Sequence, residues 1–191
     1  MDKQSPVDGR GHGRLGRVLS RLGAVVAGAG LIVVPATADA ARGTDAAPSS
    51  ARADVQIVAV HSRKCLNVDL SQGGTEDGAD VLQWTCAGTD NQLWSIEDAG
   101  GGYYRVIARH SGQCLEVEGG SAEDGANVQQ WTCVASANQL WSVHRFGDGS
   151  FAFASAVSRK CLQVAEGSFE DGANVEQWGC DRASYQRWLI G

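Results

Sequence analysis

The sequence predicts an all-β fold closed by threefold repetition, and three observations carry that expectation. The segment EDGANVQQWTC at residues 123–133 has close relatives 47 positions away on either side, EDGADVLQWTC at 76–86 and EDGANVEQWGC at 170–180. A glutamine two before a tryptophan recurs at the same 47-residue interval, as Gln92-Leu93-Trp94, Gln139-Leu140-Trp141 and Gln186-Arg187-Trp188. Between these marks, each copy holds four short alternating or β-rich stretches, separated by Gly, Ser, Asp and Asn clusters that punctuate strands.

The N-terminus reads differently. Lys3, Arg10, Arg14, Arg17 and Arg21 precede the apolar run LGAVVAGAGLIVV (22–34), and PATADAA follows with small residues at cleavage spacing. This predicts a secretory signal over 1–40, cut after Ala38 or Ala40, and a secreted, extracellular protein. The alternative, a membrane anchor, needs about 20 apolar residues, more than this run supplies. Residues 41–54, ARGTDAAPSSARAD, are small, polar and aperiodic, as in a flexible leader.

Residues 55–191 then divide into copies 55–102, 103–149 and 150–191. In the second copy the four stretches are YYRVIARHS, CLEVE, NVQQWTC and QLWSVHRF. Asp77-Gly78, Asp124-Gly125 and Asp171-Gly172 are dipeptides suited to turns with positive φ. A general acid and base act as one asymmetric pair, so the triplicated acidic pair reads as a turn and not as catalytic machinery. Twelve strands in three units are too few blades for a propeller, which uses about 4 to 8. A closed trefoil of three four-stranded units fits, and leaves few open edges. Within it, Trp94, Trp141 and Trp188 alternate with polar neighbours and are expected in the core.

Composition narrows the partners. Beyond residue 40 the chain carries 11 Lys and Arg against 19 Asp and Glu, a formal charge of −8, which repels phosphate backbones. Neither nucleic acid nor membrane is an expected partner, and a monomer is the expected state. All six cysteines lie in the exported part, where an even number implies disulfides. Repeat symmetry selects Cys65 with Cys86, Cys114 with Cys133 and Cys161 with Cys180. None forms a CxxC pair, and His61 and His110, each four residues before a cysteine, read as surface residues. No metal or cofactor is expected.

The three Q-x-W signatures, each following a CL-x-V…W-x-C segment, resemble those of the ricin B-type lectins over residues 55–191. That resemblance implies a β-trefoil, sugar binding at up to three sites, and a role often played beside glycoside hydrolases. The family's acidic binding residue falls at Asn67, Glu116 and Gln163, and its stacking aromatic at Trp84, Trp131 and Trp178. The polar residue before the Q-x-W glutamine falls at Asn91, Asn138 and Tyr185, next to Gln92, Gln139 and Gln186. A further glutamine falls at Leu82, Gln129 and Glu176. The family's usual aspartate is missing from all three copies, which puts galactose preference in question, and Tyr185 marks the third site as the weakest.

Strand parity points the same way. Cys114 and Glu116 share one face of their strand, and Gln129, Trp131 and Cys133 share one face of theirs. If the cysteines pair across antiparallel neighbours, Glu116 lies opposite Trp131, Asn67 opposite Trp84 and Gln163 opposite Trp178. An acceptor beside an indole suits a sugar, whose C–H face covers the ring while its hydroxyls seek polar groups. The expected function is therefore a non-catalytic carbohydrate-binding protein. The alternatives are a protein-binding module or protease inhibitor working through one loop, and an enzyme. No GxSxG, HExxH or P-loop is present to support the last.

Overall fold

In a computed structural model of the chain, residues 53–191 are described, so the signal segment and nearly all of the leader lie outside the described residues. The first copy forms β1 (Ile57–Ala59), β2 (Cys65–Val68), β3 (Val81–Trp84) and β4 (Trp94–Gly100). The second forms β5 (Tyr103–Ala108), β6 (Cys114–Val117), β7 (Ala126–Trp131) and β8 (Trp141–Arg145). The third forms β9 (Phe151–Ser155), β10 (Cys161–Val164), β11 (Val175–Trp178) and β12 (Trp188–Ile190).

Six of these strands close a barrel. β4 pairs with β5, β8 with β9 and β12 with β1. Within copies the ring is completed by Val55↔Trp94, Tyr104↔Trp141 and Phe151↔Trp188. The other six form the hairpins β2–β3, β6–β7 and β10–β11. Those hairpins meet each other through Asp80↔Gln129, Glu176↔Asn127 and Leu82↔Asn174. This is the β-trefoil, and it leaves no long open edge.

The interior is threefold as well. Trp94, Trp141 and Trp188 are fully buried, packed with Leu66, Leu115 and Leu162 in one continuous core. Each indole N–H donates to the carbonyl of its copy's leucine, at 3.0, 3.0 and 3.1 Å, so burial leaves none of the three indoles unpaired. The disulfides Cys65–Cys86, Cys114–Cys133 and Cys161–Cys180 close within copies.

Copies are joined by a cyclic set of polar contacts. Gln83, Gln130 and Gln177 are fully buried. Gln130 Nε2 donates to the carbonyls of Gly74 and Glu76 in the preceding copy, at 2.8 and 3.2 Å. Gln177 does the same to Ser121 and Glu123, and Gln83 to Ser168 and Glu170. The acidic turn answers in kind: Asp77 accepts from Thr132, Asp124 from Gly179 and Lys160, and Asp171 from Thr85 and Lys64. His61 and His110 join this set and are not free surface residues. Their Nε2 atoms lie 2.8 and 2.6 Å from the carbonyl oxygens of Ser168 and Gly74.

Candidate functional site

The hairpins carry three clefts, and their register differs from the parity expectation. Cys114 lies opposite Trp131, and Glu116 lies opposite Gln129. Likewise Asn67 faces Leu82, and Gln163 faces Glu176. The reason is the disulfide. Cys133 sits two residues beyond the end of β7, so the bridge reaches past the cross-strand partner of Cys114 and does not join directly opposed residues. Glu116 also is not outward-facing. The 3-10 turn Ala137–Gln139 covers it, leaving it 5% exposed.

Trp84, Trp131 and Trp178 do face solvent, at 44%, 40% and 44% exposure. Each lies close to the Asp-Gly turn of the preceding copy. A Cβ on Gly78 would sit 3.7 Å from Trp131, one on Gly125 3.6 Å from Trp178, and one on Gly172 3.4 Å from Trp84. These glycines have φ of 89°, 79° and 84°, a left-handed geometry that glycine adopts without a steric cost. Every cleft is thus built from two copies. Sequence reasoning assigned the turn a local role and missed this; its signal was the EDG triplet standing upstream of all three Q-W pairs.

The second cleft, about 580 Å³, is bounded by Trp131, Gly78, Glu116, Gln129 and Asn138. At its base, Glu116 Oε1 accepts from Gln129 Nε2 at 3.0 Å. Its Oε2 accepts from Asn138 Nδ2 at 3.1 Å and Gln139 Nε2 at 2.9 Å. A carboxylate offers about four acceptor positions. Three are taken, which leaves one lone pair for an incoming hydroxyl.

The first cleft replaces this with Asn67, whose Oδ1 accepts from Asn91 at 2.9 Å and Gln92 at 3.1 Å. Its acceptor is saturated, and its Nδ2 donates to the Val68 carbonyl. The third cleft exchanges charge across the same strand pair: Gln163 Nε2 donates to Glu176 Oε1 at 2.8 Å, reversing the direction seen between Glu116 and Gln129. Gln186 still donates to Gln163 Oε1 at 3.0 Å. Tyr185, however, gives no donor to this set. It lies against Gly167, where a Cβ would come within 2.8 Å of its ring. Its hydroxyl donates to Asp181 at 3.1 Å, and that bond with the carboxylate's charge raises the phenol above its usual pKa.

Among the described residues, no group of three His, Cys, Asp or Glu side chains could hold a metal ion, and no helix is long and apolar enough to cross a membrane.

Residues 102–191 match the model of the ricin-type β-trefoil lectin domain, and residues 46–131 match that of the ricin-type β-trefoil lectin domain-like family. Among solved structures, the designed threefold-symmetric protein ThreeFoil is 42% identical, with a TM-score of 0.69 over 72% of this chain and 96% of that one. The exo-β-1,3-galactanase 1,3Gal43A of Clostridium thermocellum is 33% identical, with a TM-score of 0.68 over 72% of this chain but only 29% of that one. A ricin B-like lectin of Macrolepiota procera, solved with lactose, shares the fold at 17% identity, with a TM-score of 0.63 over 74% of this chain and 96% of that one. No curated protein sequence matches the chain significantly.

Proposed function

The chain belongs to the ricin B-type β-trefoil lectin family, and from that premise we propose that it is a secreted, monomeric, non-catalytic glycan-binding protein whose second copy holds the principal site. The lectin fold supplies the coarse role, carbohydrate binding. The finer reading rests on one observation: only in the second copy does a buried carboxylate, held by three amide donors, lie in the same cleft as an exposed indole and keep an acceptor position free.

The chemistry follows from that arrangement. A sugar ring lays its C–H face on Trp131, and one hydroxyl donates to Glu116. Gln129, Asn138 and Gln139 hold the carboxylate in place, so little freedom is lost on binding. The first copy keeps Trp84 but offers no free acceptor on Asn67, so it binds more weakly. The third, with Tyr185 turned to Asp181, is weak or silent. One shallow site of this size binds a monosaccharide at about millimolar, near 4 kcal/mol. A polymer engaging two copies gains roughly 10² or more in avidity.

A glycan array probed with wild type and Trp131→Ala tests the proposal. Wild type is expected to retain a defined set of neutral glycans that Trp131→Ala loses. Retention of the same set by Trp131→Ala would refute the assigned cleft.

A further inference from the structure

A second kind of groove, about 400 Å³, opens between the second and third copies. Its floor is apolar, made by Ala152, Ala154 and Phe146 together with the Cys161–Cys180 bridge. Its rim carries Arg159, Arg182 and His144. It contains none of Gln163, Glu176, Trp178 or Tyr185, and it adjoins the third sugar cleft only through Gln186, which lines the groove and donates to Gln163.

Threefold symmetry supplies an internal control. The corresponding groove between the first and second copies, 47 residues upstream at each position, is lined by Glu97, Arg105, Ile107, Gly112 and Ala135. Glu97 becomes His144, Gly112 becomes Arg159 and Ala135 becomes Arg182, while Arg105 and Ile107 shrink to Ala152 and Ala154. One groove sets a carboxylate beside a guanidinium. The other has two guanidiniums, an imidazole, no carboxylate and a smooth floor. The two guanidiniums stand against a strongly acidic domain.

The backbone adds an independent sign. Arg159 and Arg182 have φ of 64° and 66°, a left-handed conformation that disfavours L side chains. Glycine fills the Arg159 position in the second copy, Gly112 at φ 70°, and the Arg182 position in the first, Gly88 at φ 69°. Strained non-glycine residues that cluster at one groove point to a ligand. Arg63 shares the conformation in the first copy, but there it has no second arginine beside it. Among the described residues neither Arg159 nor Arg182 forms an ion pair; Arg159 rests over the Tyr103 ring at 5.7 Å. Arg187 lies over the Phe146 ring, 5.8 Å from its centroid, and is itself paired with Asp148 at 2.8 Å.

We propose that this groove binds a carboxylated sugar, a uronate residue of an acidic polysaccharide. The guanidiniums receive the carboxylate, which their fork geometry matches. Phe146 and the alanine floor receive the C–H face of the ring. The anionic half of the assignment stands on the groove alone, and the sugar half rests on the lectin reading above.

Calorimetry with trigalacturonate tests it, using wild type, Trp131→Ala and the double variant Arg159→Gly/Arg182→Gly. Glycine suits both backbone positions, so the double variant is expected to melt no lower than wild type. It should lose at least about tenfold in trigalacturonate affinity, the scale of one or two charge-assisted contacts, while Trp131→Ala keeps it. Unchanged trigalacturonate binding in the double variant, or loss confined to Trp131→Ala, would overturn the proposal. Full competition by inorganic sulfate at equal ionic strength would overturn the uronate assignment. The neutral glycans retained on the array separate the two readings: their retention by Trp131→Ala counts against the Trp131 cleft, whereas trigalacturonate alone judges the arginine groove.

Discussion

Six tryptophans occur in this chain, and they divide evenly between two environments. Trp94, Trp141 and Trp188 are sealed in the barrel, while Trp84, Trp131 and Trp178 stand open at the hairpins. Around the buried set the copies scarcely differ: the same leucine carbonyl accepts each indole N–H, and the same glutamine ties each copy to the one before. Around the exposed set the Asp-Gly turn recurs but the floor of the cleft changes, from Asn67 and Leu82 to Glu116 and Gln129 to Gln163 and Glu176. A closed threefold core demands three equivalent solutions, because each copy packs on both others. A surface cleft makes no such demand, so each copy can drift to its own chemistry.

The sharpest way to break this comparison is to truncate one tryptophan of each kind. Trp141→Ala empties a core position and is expected to cost about 3–5 kcal/mol. Trp131→Ala is expected to stay within about 1 kcal/mol of wild type, since solvent already covers much of the ring. Equal losses in thermal or denaturant melts would mean that the exposed indoles are structural. Next in size is the bridge: converting Cys114 and Cys133 together to alanine opens a loop of sequence separation 19 and should cost roughly 3 kcal/mol in the chain-entropy picture. Non-reducing peptide mapping should find only bridges within copies.

The contacts between copies come next. Gln130→Ala leaves the Gly74 and Glu76 carbonyls without their donor and should cost about 1–3 kcal/mol, read by denaturant melts. A loss near zero would show that the copies are held by the core alone. The smallest expected effect is a pH dependence. Lys160 hydrogen-bonds Asp124 and Lys64 hydrogen-bonds Asp171, and these contacts hold both carboxyls below their usual pKa. Groups with depressed folded pKa stabilise above the unfolded value of about 3.9, and that stability fades as pH falls through the folded value. Melting temperature should therefore drop in acid, and less steeply in Asp124→Asn/Asp171→Asn than in wild type.

Much of this was legible in the residues. The 47-residue period gave twelve strands, the alternation of Q-x-W put three indoles inside, and repeat symmetry paired the cysteines. What parity could not give was the register of the hairpins, because Cys133 lies beyond β7 and its bridge is offset from the strand ladder. Nor could it show Glu116 buried, since the residues of the turn Ala137–Gln139 that hold it, Asn138 and Gln139, stand 22 and 23 positions away in the chain. The cyclic exchange between copies was hidden for a related reason: Gln130 and Asp77 look local in sequence, and only closure of the barrel brings each to its neighbour. The exchange of charge between Glu116–Gln129 and Gln163–Glu176 was written in the sequence but becomes meaningful only once those residues face each other.

The claim that varied residues set the strength of each cleft is tested most directly by calorimetry with one neutral polysaccharide on wild type, Trp84→Ala, Trp131→Ala and Trp178→Ala. Loss should be greatest for Trp131→Ala, smaller for Trp84→Ala and least for Trp178→Ala. Equal losses from all three would contradict it, showing that Asn67, Glu116 and Gln163 are interchangeable floors of one kind of site.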